Sequence, residues 1–241
     1  MLSSVAIIPS RFASTRLPGK PLRKIRDKTL IHHIYDNVIK TRLFDIVVVA
    51  TDDERIANEV KTFHGTVFVS EKIHSSGTDR IAEVAASMDA DVFINVQGDE
   101  VFINKHTLEP LINSFENENV HVATLAHEIV DIEEVQNPNR IKVICDINGY
   151  ALYFSRSAIP YNRRNKSYSY LGHIGVYAFR KNALMRFAQL PQSNLEKTEK
   201  LEQLRLLENG IPIKVIVTDY SGFGIDTEED IKEAELMMRN M

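Results

Sequence analysis

The chain has 241 residues, 44% of them hydrophobic, and a formal net charge of -4. That length supports one large domain or two fused lobes around a real core, and the charge gives neither the basic excess of a nucleic-acid binder nor an acidic tail. Cys145 is the only cysteine, which excludes an intrachain disulfide; the apolar runs fall far short of the roughly 20 residues that span a bilayer, and the first eight residues read into a strand rather than a leader, so the expectation is a soluble cytoplasmic protein with no nucleic-acid partner and no membrane insertion.

Short apolar runs alternate with helical periods along the chain. Strands are expected at Ser4–Ile8, Asp45–Ala50, Thr66–Val69, Asp91–Val96, Val120–Ala126, Ile141–Asp146, Tyr150–Phe154, Ile174–Phe179 and Ile213–Thr218. Helices are expected at Thr29–Thr41, Asp53–His64, Gly77–Met88, Lys105–Asn117, Lys181–Leu190, Glu196–Asn209 and Glu228–Met238. Several strands are continuous Val/Ile runs, as expected where helices cover both faces of a sheet. Asp52 or Asp53 can cap the second helix and Gly65 can close it, while Thr227 with Asp230 forms a capping box for the last. The alternation through residue 99 predicts a parallel, doubly wound sheet. Beyond about residue 120 the strands crowd together, which predicts antiparallel or mixed additions. No linker rich in Pro, Gly or Ser interrupts the chain, so we expect one continuous α/β domain with a β-rich lobe.

The strand ending at Ile8 releases a loop that carries Arg11, Arg16 and Lys20, with Ser10, Ser14, Thr15 and Gly19 between the cations. Small residues let backbone N–H groups approach an anion, and Arg and Lys supply charge, so the loop suits a polyphosphate. It also reads as a solvated basic loop. It is not a Walker A motif, because Pro21 follows Lys20, and it is not a dinucleotide fingerprint. In an open parallel sheet ligands bind at the carboxyl ends of the strands, which is where this loop lies.

The strand Asp91–Val96 runs into Gln97-Gly98-Asp99-Glu100. Magnesium favours carboxylate oxygens together with nucleotide phosphate oxygens, so Asp99 is a candidate ligand; an Asx-turn is the plainer reading. Asp226 is the second candidate, although an acid before a helix is favourable in its own right. Ser76, Gly77 and Arg80 open a helix and suit a phosphate or a base, or equally plain capping with a solvated arginine. His173, Gly175 and Tyr177 alternate with Ile174 and Val176, so they fall on one face of a strand, a platform for a polyol or a half-buried strand. Glu199, Glu202 and Gln203 have i, i+3, i+4 spacing and share a face if the helix is continuous, with Leu201, Leu204 and Leu207 as the core stripe. Arg156 follows an apolar strand and can pair bidentately with a carboxylate or cap the sheet end. The other histidines and Cys145 have no metal-ligand spacing, and no nucleophile–base triad is evident.

In order, IIPSRFASTRLPGKPL, VVATDDERI, HSSGTDRIAE, NVQGDE, NPNRIKVICDINGYALYFSRSAIPYNR, HIGVYAF, LEQLRLLENG and GIDTEEDI closely resemble the 3-deoxy-manno-octulosonate cytidylyltransferases over almost the whole length. The resemblance implies a Rossmann-related nucleotidyltransferase fold of GT-A type, with a mixed, mostly parallel central sheet flanked by helices and a smaller β-rich lobe. It implies a homodimer that uses CTP, 3-deoxy-manno-octulosonate (Kdo) and Mg²⁺ to make CMP-Kdo and pyrophosphate for lipopolysaccharide. It places the nucleotide mainly in residues 1–120, sugar and dimer contact mainly in 121–220, and the metal-ligand loop and last helix in 221–241. By motif, Arg11, Ser14 and Lys20 would grip the triphosphate, and Ser76, Gly77 and Arg80 would serve the nucleotide. Gln97 would serve both nucleotide and sugar, Asp99 and Asp226 would hold magnesium, and Arg156, His173, Tyr177, Glu202 and Gln203 would bind the sugar. The family usually has Pro where Val101 stands, and often Ala for Ser10 and Gln for Ser75; the Asn162–Tyr170 stretch is short and basic. A sister activity on another acidic sugar, such as the 8-amino analogue of Kdo, shares the opening loop.

Overall fold

Val5, Ala6, Ile7 and Ile8 are each no more than 2% exposed, and they form the centre of β1 (Ser4–Ser10). The structure is a computed structural model that describes residues 2–13, 17–72, 74, 77–163 and 168–240. The chain divides into two compact units, Met1–Leu108 with Gly222–Met241, and Glu109–Ser221.

In the first unit β1 leads through a short hairpin, β2 (Lys24–Ile25) and β3 (Lys28–Thr29), into α1 (Leu30–Thr41). Next come β4 (Ile46–Thr51), α2 (Glu54–Thr62), β5 (Val67–Val69), α3 (Gly77–Ala86), β6 (Val92–Asn95) and α4 (Lys105–Asn113), whose last residues enter the second unit. β1 pairs in parallel with both β4 and β6, and β4 pairs in parallel with β5. The strand order β6-β1-β4-β5 is what right-handed strand–helix–strand crossovers produce. Asp45 accepts from the Ser4 N–H and Asp91 from the Ser3 N–H and hydroxyl, tying the amino ends of the three central strands. The opposite ends release the site loops.

Local chemistry sets the helices. Thr29 caps α1 by accepting from the His32 N–H, and Leu30, Ile31, Ile34, Tyr35 and Val38 form its buried stripe. Asp53 caps α2, as expected. That helix ends earlier than expected, and the left-handed residue that turns it off is His64 (φ 59°), not Gly65. Gly65 donates to the Val60 carbonyl and is crowded by Phe63 and Val60. The Thr227–Asp230 capping box forms before α9 (Glu228–Asn240): Thr227 N–H donates to Asp230 at 2.8 Å, and Asp230 N–H donates to Thr227 Oγ1 at 3.2 Å.

The second unit continues with β7 (Val122–Ile129), α5 (Ile132–Gln136), β8 (Lys142–Cys145), β9 (Ala151–Ser155), β10 (Tyr170–Arg180), α6 (Lys181–Gln189), α7 (Asn194–Glu199), α8 (Leu204–Glu208) and β11 (Lys214–Val217). β10 pairs antiparallel with β7 and β8, β8 pairs antiparallel with β9, and β11 joins β7 in parallel. This is the expected change to mixed pairing. β7 and β10 outrun their expected ends because main-chain pairing carries through His127, Glu128 and Leu171–His173, where the apolar run gives no signal.

Two expectations fail in this unit. The helix expected over Glu196–Asn209 is two short helices. Lys200 takes a left-handed conformation (φ 53°) and Leu201 N–H closes back on the Glu196 carbonyl. Glu199 therefore ends α7, while Glu202 and Gln203 lie in the turn before α8 and share no helical face with it. Leu206, not Leu207, is the buried third leucine. The alternation expected through Ile174–Tyr177 is also broken, because a bulge there shifts the register against β7.

Candidate active site

The described ends of the opening loop are tied to each other. Gly19 N–H donates to the Phe12 carbonyl at 3.1 Å, Lys20 N–H donates to the Leu17 carbonyl, and Leu17 is buried. Gly19 sits at φ 68°, and a Cβ there would come within 3.1 Å of the Phe12 ring, so two constraints select glycine. The Arg55 guanidinium lies 3.3 Å from the centroid of that ring, within cation–π range. Arg11 is exposed beside the loop. Ser14 and Ser76 lie outside the described residues.

Lys20 reaches back from this loop into the end of the sheet. Its ammonium donates to Asp99 Oδ2 at 2.9 Å, to Asp226 Oδ1 at 3.1 Å and to the Ile225 carbonyl at 2.8 Å. Burial works to lower the Lys20 pKa, but the charges and hydrogen bonds of Asp99 and then Asp226 prevail and hold it above its usual value. The two carboxylates converge because their loops are stitched together. Glu100 bridges Gly224, Ile225 N–H donates to the Asp99 carbonyl, and Phe102 meets Phe223 edge-on. Gly98 lets the turn approach β1: a Cβ there would fall 2.9 Å from the Pro9 carbonyl oxygen.

Two carboxylates within 3.1 Å of one cationic nitrogen make a point that suits a divalent cation. Among the described residues no group of three or more His, Cys, Asp or Glu side chains forms a complete metal site. Magnesium is commonly held by one or two carboxylates, with substrate phosphates and waters completing its octahedron. Gln97 is half-buried at the start of the same turn, where its carbonyl accepts from Glu100 N–H.

Gly77 is the first residue of α3. Arg80, one turn on, is 5% exposed, and its guanidinium donates to the Ser10 carbonyl at 2.9 Å and to Asp52 at 2.6 Å. In this structure Arg80 ties the ends of β1 and β4; it is not solvated. Ser10 Oγ and both amide atoms of Asn95, at the ends of β1 and β6, are buried with no hydrogen-bond partner among the described residues. Such groups are retained against a penalty of about 1–3 kcal/mol each.

The remaining candidates lie in the second unit. His173 and Tyr177 meet in spite of the bulge, their ring centroids 5.3 Å apart, with Phe154 edge-on to His173. Thr124, which the sequence hid inside an apolar run, joins them. Its hydroxyl donates to the Val176 carbonyl at 2.8 Å and lies 3.1 Å from His173 Nε2, which favours the Nε2–H tautomer. Burial drives His173 down to about 3, so the ring is neutral at physiological pH. Burial, then the Glu202 charge, pushes the Tyr177 hydroxyl well above its ordinary range. Gln203 is buried, and its Nε2 has no partner among the described residues. Arg156 is held by Glu199: its N–H meets Glu199 Oε2 at 3.0 Å and its Nε meets the Glu199 carbonyl at 2.8 Å. Glu196 and Arg205 form a bidentate buried pair at 2.6 and 2.8 Å that braces α7 against α8.

Among the described residues no helix is long and apolar enough to cross a membrane. A family model for cytidylyltransferases matches residues 5–216. The 3-deoxy-manno-octulosonate cytidylyltransferase of Fusobacterium nucleatum subsp. nucleatum is 47% identical, over 95% of this chain and 94% of that protein. The enzyme of that name from Flavobacterium johnsoniae is 46% identical over 98% and 99%. The solved structure of a CMP:2-keto-3-deoxy-manno-octonic acid synthetase complexed with CTP superposes with a TM-score of 0.95 at 40% identity and covers 99% of both chains. With this agreement in sequence and in fold, the chain belongs to the 3-deoxy-manno-octulosonate cytidylyltransferase family.

Proposed function

We propose that the protein transfers the cytidylyl group of CTP to Kdo, forming CMP-Kdo and pyrophosphate, as a cytoplasmic homodimer that serves lipopolysaccharide synthesis. The observation that carries this reading is the convergence of Asp99 and Asp226 on Lys20, at the end of the opening loop. Residues 1–120 are assigned mainly to CTP, 121–220 mainly to the sugar and the dimer contact, and 221–241 to the metal-ligand loop and last helix.

The anomeric hydroxyl of Kdo attacks the α-phosphorus of CTP in line, and pyrophosphate leaves. An anionic sugar approaching a polyanionic nucleotide makes charge repulsion a large part of the barrier, so prearranged cations are the main catalytic resource. Asp99 and Asp226 would hold Mg²⁺, which when bound screens phosphate charge and makes the attacking hydroxyl more acidic. Arg11, Ser14 and Lys20 bind the triphosphate, and Lys20 faces the charge that builds on the leaving group. Ser76, Gly77, Arg80 and Gln97 orient the nucleotide. Arg156 receives the sugar carboxylate, and the neutral His173, Tyr177, Glu202 and Gln203 bind its hydroxyls.

The test is pyrophosphate release with Mg²⁺, each of CTP, UTP, ATP and GTP, and each of Kdo, N-acetylneuraminate and 8-amino-Kdo. Release with CTP and Kdo is expected, and Asp99→Asn or Asp226→Asn should lower it by about 100-fold or more, the scale of one lost electrostatic group. Release with another sugar and not with Kdo overturns the sugar assignment; an Asp99→Asn enzyme of normal rate overturns the metal assignment.

A further inference from the structure

Lys142 opens β8 and is 0% exposed, one of the largest fully buried side chains in the protein. A buried lysine is rare and is kept charged only by complete pairing. No carboxylate among the described residues lies within ion-pair distance of it. Its three N–H donors instead meet three main-chain carbonyls, Asn137 at 2.9 Å, Arg140 at 2.5 Å and Arg156 at 2.7 Å. Burial lowers its pKa, the Arg156 charge adds to that, and Glu199 and Glu134 oppose it.

The three carbonyls share one consequence. Asn137 and Arg140 bracket the turn that holds Pro138, whose carbonyl accepts from Arg156 Nη1 at 3.0 Å. Arg156 itself supplies the third carbonyl. Lys142 therefore fixes both the Arg156 main chain and the turn that orients its guanidinium. Glu199 fixes the Arg156 N–H and Nε from the other side. Nη2 alone has no protein partner among the described residues, so the guanidinium is held with one nitrogen left for a ligand.

We propose that Lys142 is a positioning residue for sugar binding, which it serves by locking Arg156 in a pose whose Nη2 receives the substrate carboxylate. The inference rests on the assignment of Arg156 to the sugar. Held at its N–H, Nε, Nη1 and carbonyl, Arg156 is ordered before the substrate arrives, which spares binding the entropy of fixing a long side chain.

Lys142→Met keeps the length of the stem and removes all three donors. Steady-state kinetics on the full chain should show KM for Kdo rising about ten-fold or more, the equivalent of one charge-assisted hydrogen bond, with KM for CTP within about two-fold of wild type. In an Arg156→Ala background, where KM for Kdo is already raised, Lys142→Met should add less than about two-fold, because coupled residues are not additive. Equal rises in both KM values, or a full Lys142→Met effect in the Arg156→Ala background, overturn the inference and leave Lys142 a support of the fold. An effect of Arg156→Ala on Kdo without one from Lys142→Met overturns only the inference, whereas no effect of Arg156→Ala overturns the sugar assignment as well. If Lys142→Met does not fold, Lys142→Gln, which keeps two donors, should give the same selective rise at about three-fold.

Discussion

Replacing Lys20 by Met tests whether Asp99 and Asp226 form a pair built to hold a cation. The Met side chain keeps the stem, so the substitution removes a charge and three donated hydrogen bonds with little change in packing. The ammonium is 14% exposed and its carboxylate partners are 30% and 35% exposed. Pairs this open are screened, so each is worth about 1 kcal/mol, and the bond to the Ile225 carbonyl adds about 1 kcal/mol more. Removing the desolvation penalty of this largely buried ammonium offsets part of the loss and leaves about 2 kcal/mol net. For a chain of this size that is about 4–8 °C in Tm. Thermal melts by differential scanning fluorimetry in EDTA should show that drop. A Mg²⁺ titration should then raise the Tm of the variant more than that of wild type, because a divalent ion supplies the missing counter-charge without competing with an ammonium. An unchanged Tm in EDTA, or an equal Mg²⁺ shift in the two proteins, would refute the reasoning.

Other perturbations probe the same construction. Gly98→Ala drives a Cβ to 2.9 Å from the Pro9 carbonyl; it should lose about 1–3 kcal/mol in urea unfolding and depress pyrophosphate release further than that loss explains. His173 has a folded-state pKa of about 3 against 6.5 unfolded. Below pH 6.5 the unfolded chain takes up a proton that the folded protein refuses, so stability is full above 6.5 and is lost as pH falls toward 3. Because His173 as a residue is only partly buried, the loss should be about 2–3 kcal/mol rather than the full conversion of the shift, and urea midpoints from pH 7 to 4 should fall less steeply in His173→Gln. Glu196→Gln leaves the Arg205 guanidinium, 3% exposed, without its carboxylate; a loss of about 3 kcal/mol is expected in the same unfolding assay.

The strands of the first unit and the Asp53 and Thr227–Asp230 caps were legible because each rests on neighbours in sequence, and the alternation of strands with helices was enough to read a parallel sheet. A Val/Ile run between turn residues is a buried strand wherever it occurs, and Asp53 or the Thr227–Asp230 pair satisfies N–H groups two or three residues away. The order of the motifs was enough to assign the family. The helix break at Lys200 was not legible: helical periodicity runs through it, and the turn is stabilised by Glu196 gripping Arg205 nine residues on. The bulge in β10 was hidden in the same way, since it depends on how β7 lies alongside.

The amino-acid order by itself determined most of the strands and helices, the Asp53 and Thr227–Asp230 caps and the family to which the chain belongs. It did not determine which of those residues meet. Lys20 finds Asp99 across 79 positions and Asp226 across 206, and Lys142 finds Arg156 across a strand pair. Local propensity acts over a few residues and is blind to such pairs. Only tertiary packing, which brings remote segments together within each unit, makes an ammonium choose two carboxylates or three carbonyls over solvent.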